Sequence, residues 1–178
     1  KGAASGLMMS KGSSLFRIFA KQNMSLSNII IKLNHEICES TSSGMFITMV
    51  IGCFDPQKKQ VRLINAGHEP VVFIDSNKQL HSYPANFRPV GIMPIDDEES
   101  IESSTIDAEE GKIFIYTDGV TEGYINANKE ELGTEGVEKI IKENYQSSLR
   151  DIIDTIVQTL SQADQDRRDD ITCLGIKL

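Results

Sequence analysis

Two strand-turn-strand passages follow one another in the middle of the chain, and they constrain its fold more than any other feature. Residues 46–54 and 61–66 are apolar-rich and flank Asp55-Pro56-Gln57-Lys58-Lys59-Gln60, where Asp-Pro initiates a turn and the lysines stay in water. Residues 71–74 and 79–83 repeat the pattern around Asp75-Ser76-Asn77-Lys78. Hairpins join antiparallel neighbours, whereas a doubly wound parallel sheet needs a helix between successive strands, so these hairpins argue against a doubly wound parallel sheet.

Helical patterns lie on either side. Over residues 3–19, Leu7, Met8, Leu15, Phe16 and Phe19 supply an apolar stripe. Over 27–38, Ile29, Ile30, Leu33 and Ile37 recur at helical spacing behind serines suited to capping. Further on, Val137, Ile140 and Ile141 follow Gly133-Thr134-Glu135-Gly136, and residues 149–160 carry Ile152, Ile153, Ile156, Val157 and Leu160 on one face. Helix pairs at both ends of a hairpin-rich middle predict an α/β chain of the α+β type, with helices packed on mainly antiparallel sheets. No repeat, low-complexity linker or internal boundary interrupts it, and residues 1–178 read as one domain.

Two acidic motifs stand at the edges of apolar runs in the second half. Ile113-Phe114-Ile115-Tyr116 reads as a strand buried on both faces, stopped by Thr117-Asp118-Gly119, where the turn dipeptide Asp-Gly predicts a chain reversal. Asp169-Asp170 leads into a strand over 171–176. Carboxylates are hard ligands and, without soft neighbours, favour Mg²⁺ or Mn²⁺. Three cysteines and three histidines form no CxxC or HExxH, which argues against zinc. The acidic run Asp96-Asp97-Glu98-Glu99 reads as a solvated loop, since adjacent like charges avoid burial.

Together with Ala66-Gly67-His68-Glu69-Pro70 and Arg88-Pro89-Val90-Gly91-Ile92, these motifs resemble, in order, those of the bacterial PPM/PP2C-type serine/threonine phosphatases of the SpoIIE/RsbU group. Lys1 to Ser10 is similar to the segment after the family's Asp-x-Ser-Gly-Lys-Gly element. The family's upstream Gly-Asp-x-x-Asp motif and the Asp of that element are absent, so the resemblance implies a PP2C-like domain over 1–178 that is incomplete at its N-terminus.

The resemblance implies an α-β-β-α sandwich and hydrolysis of phosphoserine or phosphothreonine by a metal-activated water. It assigns Asp118 and Asp169 as catalytic metal ligands of a two-metal Mn²⁺ or Mg²⁺ site whose bridging carboxylate lies among the absent residues. Gly119, Thr121, Glu122 and Asp170 are candidates to support those ligands, and His68 is read as a turn residue. The implied partner is a phosphorylated signalling protein of the anti-anti-sigma type in partner switching, with a sensor or receiver domain upstream; dimerisation through the helices is left open. A catalytically inactive module of the same fold that binds a partner, and a hydrolase of small phosphate esters, are the competing readings. Candidate substrate loops are 84–107 and 123–135.

Composition narrows the remaining classes. A net charge of −8 with only Lys58-Lys59 and Arg167-Arg168 as basic pairs argues against a nucleic-acid surface. No apolar run approaches the roughly 20 residues that span a bilayer, and no signal peptide is visible. Widely separated cysteines predict reduced thiols and a cytoplasmic setting.

Overall fold

A computed structural model describes residues 2–40, 44–96, 101–107, 109–161 and 170–178. In chain order the elements are α1 (Ala3–Ala20), α2 (Leu26–Ser40), β1 (Met49–Asp55), β2 (Gln60–Ala66), β3 (Val71–Asp75), β4 (Leu80–Tyr83), β5 (Ser104–Asp107), β6 (Gly111–Tyr116), α3 (Asp118–Thr121), α4 (Gly133–Glu143), α5 (Leu149–Ser161) and β7 (Cys173–Lys177). They fall into two compact units, Lys1–His68 with Ala85–Asp107, and Glu69–Pro84 with Ala108–Leu178. Among the described residues no helix is long and apolar enough to cross a membrane.

The first unit holds a sheet ordered β1-β2-β5, with both pairings antiparallel. Helix α2 turns Ile29, Ile30, Leu33 and Ile37 into a core with Ile51, Ile64 and Ala66 of the sheet and Val90, Ile95 and Ile101 beyond it. Asn34 lies in the same helix and is fully buried. Its amide is paired on both sides, donating to Met93 O at 2.9 Å and accepting from Gly91 N at 2.7 Å, so the helix fixes the loop that follows Pro89. Gly91 (φ +90°) admits no side chain there because Ile37 occupies the space a Cβ would need.

Helix α1 corrects the expected stripe. Met8 and Gly12 are buried and Leu15, Phe16 and Phe19 pack on the core, but Leu7 is 74% exposed. One residue is about 100° of helix, so Leu7 sits beside the face that Met8, Gly12, Leu15 and Phe19 share. The strand expected from residue 46 begins at Met49, while Ile47 is held separately by a bridge to Val90.

The second unit holds a sheet ordered β4-β3-β6-β7, again antiparallel throughout. Val72, Ile74, Phe114 and Tyr116 meet Val137, Ile141, Ile152, Ile156 and Leu160 of α4 and α5 in its core. The Lys112 ammonium ties β6 to the α4–α5 connection by donating to Tyr145 O (2.5 Å) and Ser147 O (2.7 Å). Burial, with Lys177 opposite it in the ladder, holds the pKa of Lys112 below the usual lysine value.

The expected hairpins form, and both close by the same device. Asp55 Oδ1 accepts from Gln57 N (3.0 Å) and Lys58 N (3.1 Å), with Lys59 left-handed at φ 48°. Asp75 Oδ1 accepts from Asn77 N and Gln79 N, both at 2.9 Å, with Lys78 at φ 64°. A short side chain that bonds amides two to four residues on mimics a backbone turn. The amide of Lys58 lowers the carboxyl pKa of Asp55, and the amide of Gln79, helped by His81, lowers that of Asp75.

A carboxyl whose folded pKa is depressed adds stability above its unfolded value, about 3.9, and loses it as pH falls through the folded value. Urea midpoints measured from pH 5 down to 2.5 should therefore fall on the acid side, and Asp55→Asn with Asp75→Asn should flatten that limb while keeping the turns. An unchanged slope would contradict this account. Asn34→Ala should cost roughly 2 kcal/mol in the same urea assay at neutral pH, because it strands the buried Gly91 N–H.

Candidate functional site

Strands β6 and β7 bring Asp118 of the first acidic motif and Asp170 of the second to one end of the second unit's sheet. Their register runs from Lys112 opposite Lys177 to Tyr116 opposite Cys173, so the residues after Tyr116 and those before Cys173 share an end. One more ladder bond forms beyond the strands, from Thr117 N to Thr172 O at 3.0 Å. The strand expected from Ile171 is thus regular only from Cys173, with Ile171 and Thr172 as its approach.

The chain does not reverse at Asp118-Gly119, as the dipeptide suggests. It enters the single helical turn α3, with Val120 N bonded to Thr117 O (2.9 Å) and Glu122 N bonded to Asp118 O (2.8 Å). Val120 is fully buried under this turn and anchors it to the core, which explains why a turn signal is overridden. Asp118 is left exposed. Its Oδ1 accepts from Gly119 N at 2.9 Å, which fixes the carboxylate against its own turn.

The supporting candidates divide accordingly. Thr121 is buried and donates its hydroxyl to Asp118 O (3.2 Å), while Gly119 is buried on the same turn. Glu122 follows the turn with its side chain exposed. Asp170 is exposed at the approach to β7, and its carbonyl accepts from Thr117 Oγ1 at 3.1 Å. Asp169 lies outside the described residues, as do Asp97, Glu98 and Glu99 of the acidic run. His68 closes the turn after β2, its amide bonded to Asn65 Oδ1 at 2.9 Å, where Gly67 (φ +69°) lies against the Pro89 ring.

Thr117 is the residue that motif reading missed. Its hydroxyl donates to Asp170 O and accepts from Thr172 N, both at 3.1 Å, so it joins the motifs by side chain as well as backbone. Only its place in the motif Tyr-Thr-Asp-Gly could have drawn attention to it. The segment from 123 folds back as a small loop in which Ile125 N meets Glu130 O and Leu132 N meets Gly123 O.

Two neighbouring groups, the Cys173 thiol and the Tyr116 phenol, are unsuited to nucleophilic or acid–base work. Burial pushes the Cys173 thiol up to about 11, so it carries no thiolate at neutral pH. Burial, reinforced by Glu69 and Glu138, raises the Tyr116 phenol well above its ordinary value. The exposed carboxylates of Asp118 and Asp170 are of the right kind for a hard divalent cation. Among the described residues, however, no three His, Cys, Asp or Glu side chains come together as a metal site.

Among the described residues the Tyr116 hydroxyl is buried without a well-formed hydrogen bond, with the Thr134 side chain as a polar neighbour. A buried hydroxyl without a partner carries a cost of about 1–3 kcal/mol. Tyr116→Phe should therefore leave stability unchanged or raise it by up to about 1 kcal/mol in thermal unfolding; a clear loss would show that the hydroxyl is paired in solution.

Comparison with known proteins places this geometry in context. The family model described as Stage II sporulation protein E (SpoIIE) matches residues 1–178. Protein IcfG of Synechocystis sp. is 28% identical over 90% of this chain and 29% of its own length. Phosphoserine phosphatase RsbU of Bacillus subtilis is 25% identical over 99% of this chain and 52% of its own length. The chain thus spans about half or less of the curated relatives it matches. The solved SiaA-PP2C domain of Pseudomonas aeruginosa superposes with a TM-score of 0.83 at 15% identity, covering 99% of this chain and 71% of that one.

Proposed function

The chain belongs to the SpoIIE family of PP2C-type phosphatase domains, and on that premise we propose that it hydrolyses phosphoserine or phosphothreonine on a signalling protein with the help of a divalent metal. Asp118 and Asp169 are the residues that would hold Mn²⁺ or Mg²⁺, with Asp170 and the α3 turn shaping their surroundings. The observation that carries this reading is the β6–β7 ladder, which sets the Asp118 turn beside the approach to β7.

A divalent ion, when bound, neutralises phosphate charge and makes water a better nucleophile at neutral pH. The chain's own residues prepare the place for it. Asp118 is exposed on a turn whose backbone is fixed by Thr117, Thr121 and the buried Val120, and its Oδ1 accepts from Gly119 N, so part of its ordering precedes binding. The unreactive thiol of Cys173 supports direct attack by water over a cysteinyl-phosphate route.

The substrate we propose is a small phosphoprotein of the anti-anti-sigma type, acted on in the cytoplasm within a partner-switching circuit, with regulatory input from a sensor or receiver domain. The name of the relative RsbU, a phosphoserine phosphatase, supports the reaction class. A second reading, a module of this fold that binds its partner without turnover, draws on one observation: the described residues alone do not bring three ligands together.

Mn²⁺-dependent hydrolysis of p-nitrophenyl phosphate and of a phosphoserine protein separates the two readings. Asp118→Asn should lower turnover by at least roughly 100-fold, beyond the 10–100-fold typical of a supporting residue. Faster release from the phosphoprotein than from free phosphoserine should accompany it. Partner binding without turnover, unchanged by Asp118→Asn, would favour the binding module.

A further inference from the structure

Where β6 ends, the ladder to β7 meets a geometric conflict. In an antiparallel hydrogen-bonded pair two opposed residues exchange both N–H···O bonds. Thr117 N makes its bond to Thr172 O, but Thr117 O is taken by Val120 N as the chain winds into α3. The Thr172 amide would lose its ladder partner at this point. It donates instead to Thr117 Oγ1 at 3.1 Å, and the same hydroxyl donates onward to Asp170 O at 3.1 Å.

One side chain therefore stands in for a main-chain acceptor and extends the pairing by a further residue, while its backbone launches the turn that carries Asp118. Four bonds radiate from this residue, three to the 170–172 segment and one into α3. The hydroxyl uses a donor and an acceptor at once. Serine can do the same at this length, and the isosteric valine can do neither.

We propose that Thr117 is the positioning residue of this site, its hydroxyl setting Asp170 and the approach to β7 against the Asp118 turn. The proposal rests on the metal-dependent reading above. Its effect falls first on metal affinity, because an Asp118 turn misplaced against the approach to β7 holds a cation less well, and loss of a residue that orients ligands typically costs 10–100-fold in affinity.

The test compares Thr117→Val and Thr117→Ser with the parent chain. Mn²⁺ binding is followed by titration calorimetry and Thr172 amide exchange by NMR, with thermal unfolding confirming that each variant folds. Thr117→Val should weaken Mn²⁺ binding by about tenfold or more and speed exchange at Thr172, and Thr117→Ser should restore both. Parental Mn²⁺ affinity in Thr117→Val would overturn the proposal, as would serine and valine variants that are equally impaired. A parent that binds no Mn²⁺ would overturn the metal-dependent reading and this proposal with it, whereas a parent whose binding is abolished by Asp118→Asn but untouched by Thr117→Val would sink this proposal alone.

Discussion

The antiparallel ladder between β6 and β7 is the interaction on which the candidate site depends. Asp118 follows the C-terminal end of one strand and Asp170 precedes the N-terminal end of the other, so only a side-by-side antiparallel pairing puts them at the same sheet end. The register is fixed by residues of both strands on the face that meets α5. Phe114 and Tyr116 are buried in the core of the second unit, and Gly175 faces Leu149 and Ile153 of α5, whose side chains leave little room for a Cβ. A slip of one residue would turn Phe114 and Tyr116 away from α4 and α5 and shift Asp118 out of line with Asp170.

Apolar burial holds each unit together, while a few polar side chains decide where its loops lie. Asn34 in the first unit and Thr117 in the second do the same work by different chemistry: each satisfies main-chain groups that a departing chain would strand. Asn86 adds a third case, accepting from Asn65 N and donating to Glu102 O at 2.9 Å each, which secures the loop before Phe87 to β2. Such groups contribute little net energy when paired and cost much when orphaned, which makes them specifiers of geometry more than sources of stability. Both loop-fixing sites of the first unit flank turns with a left-handed glycine, at Gly67 and at Gly91.

Much of this was legible in the sequence because the signals are local. Asp-Pro and Asp-Ser-Asn turns between apolar runs specify both hairpins, and the spacing of Ile29, Leu33 and Ile37 specifies α2. The errors come where a local signal meets a tertiary demand. Leu7 belongs to an apolar list yet lies off the buried stripe, and Asp118-Gly119 reads as a reversal but is drawn into a helical turn by burial of Val120. In the site, the order of motifs points to Asp118 and the Asp169-Asp170 pair, of which Asp169 lies outside the described residues. Thr117 was not legible, since its role arises only when Val120 occupies its carbonyl and leaves the Thr172 amide to the hydroxyl. The Tyr116 hydroxyl, without a well-formed hydrogen bond among the described residues, is equally invisible in a sequence, where tyrosine at a strand end looks like ordinary core.

The central claim, that the end of the β6–β7 ladder is a divalent-metal site, is tested most directly by paramagnetic broadening. Substoichiometric Mn²⁺ added to the isotopically labelled chain should broaden the amides of Gly119 and Val120 together with those of Asp170, Ile171 and Thr172 before any others. Broadening that starts elsewhere on this acidic surface, or that spreads evenly over its carboxylates, would contradict the account.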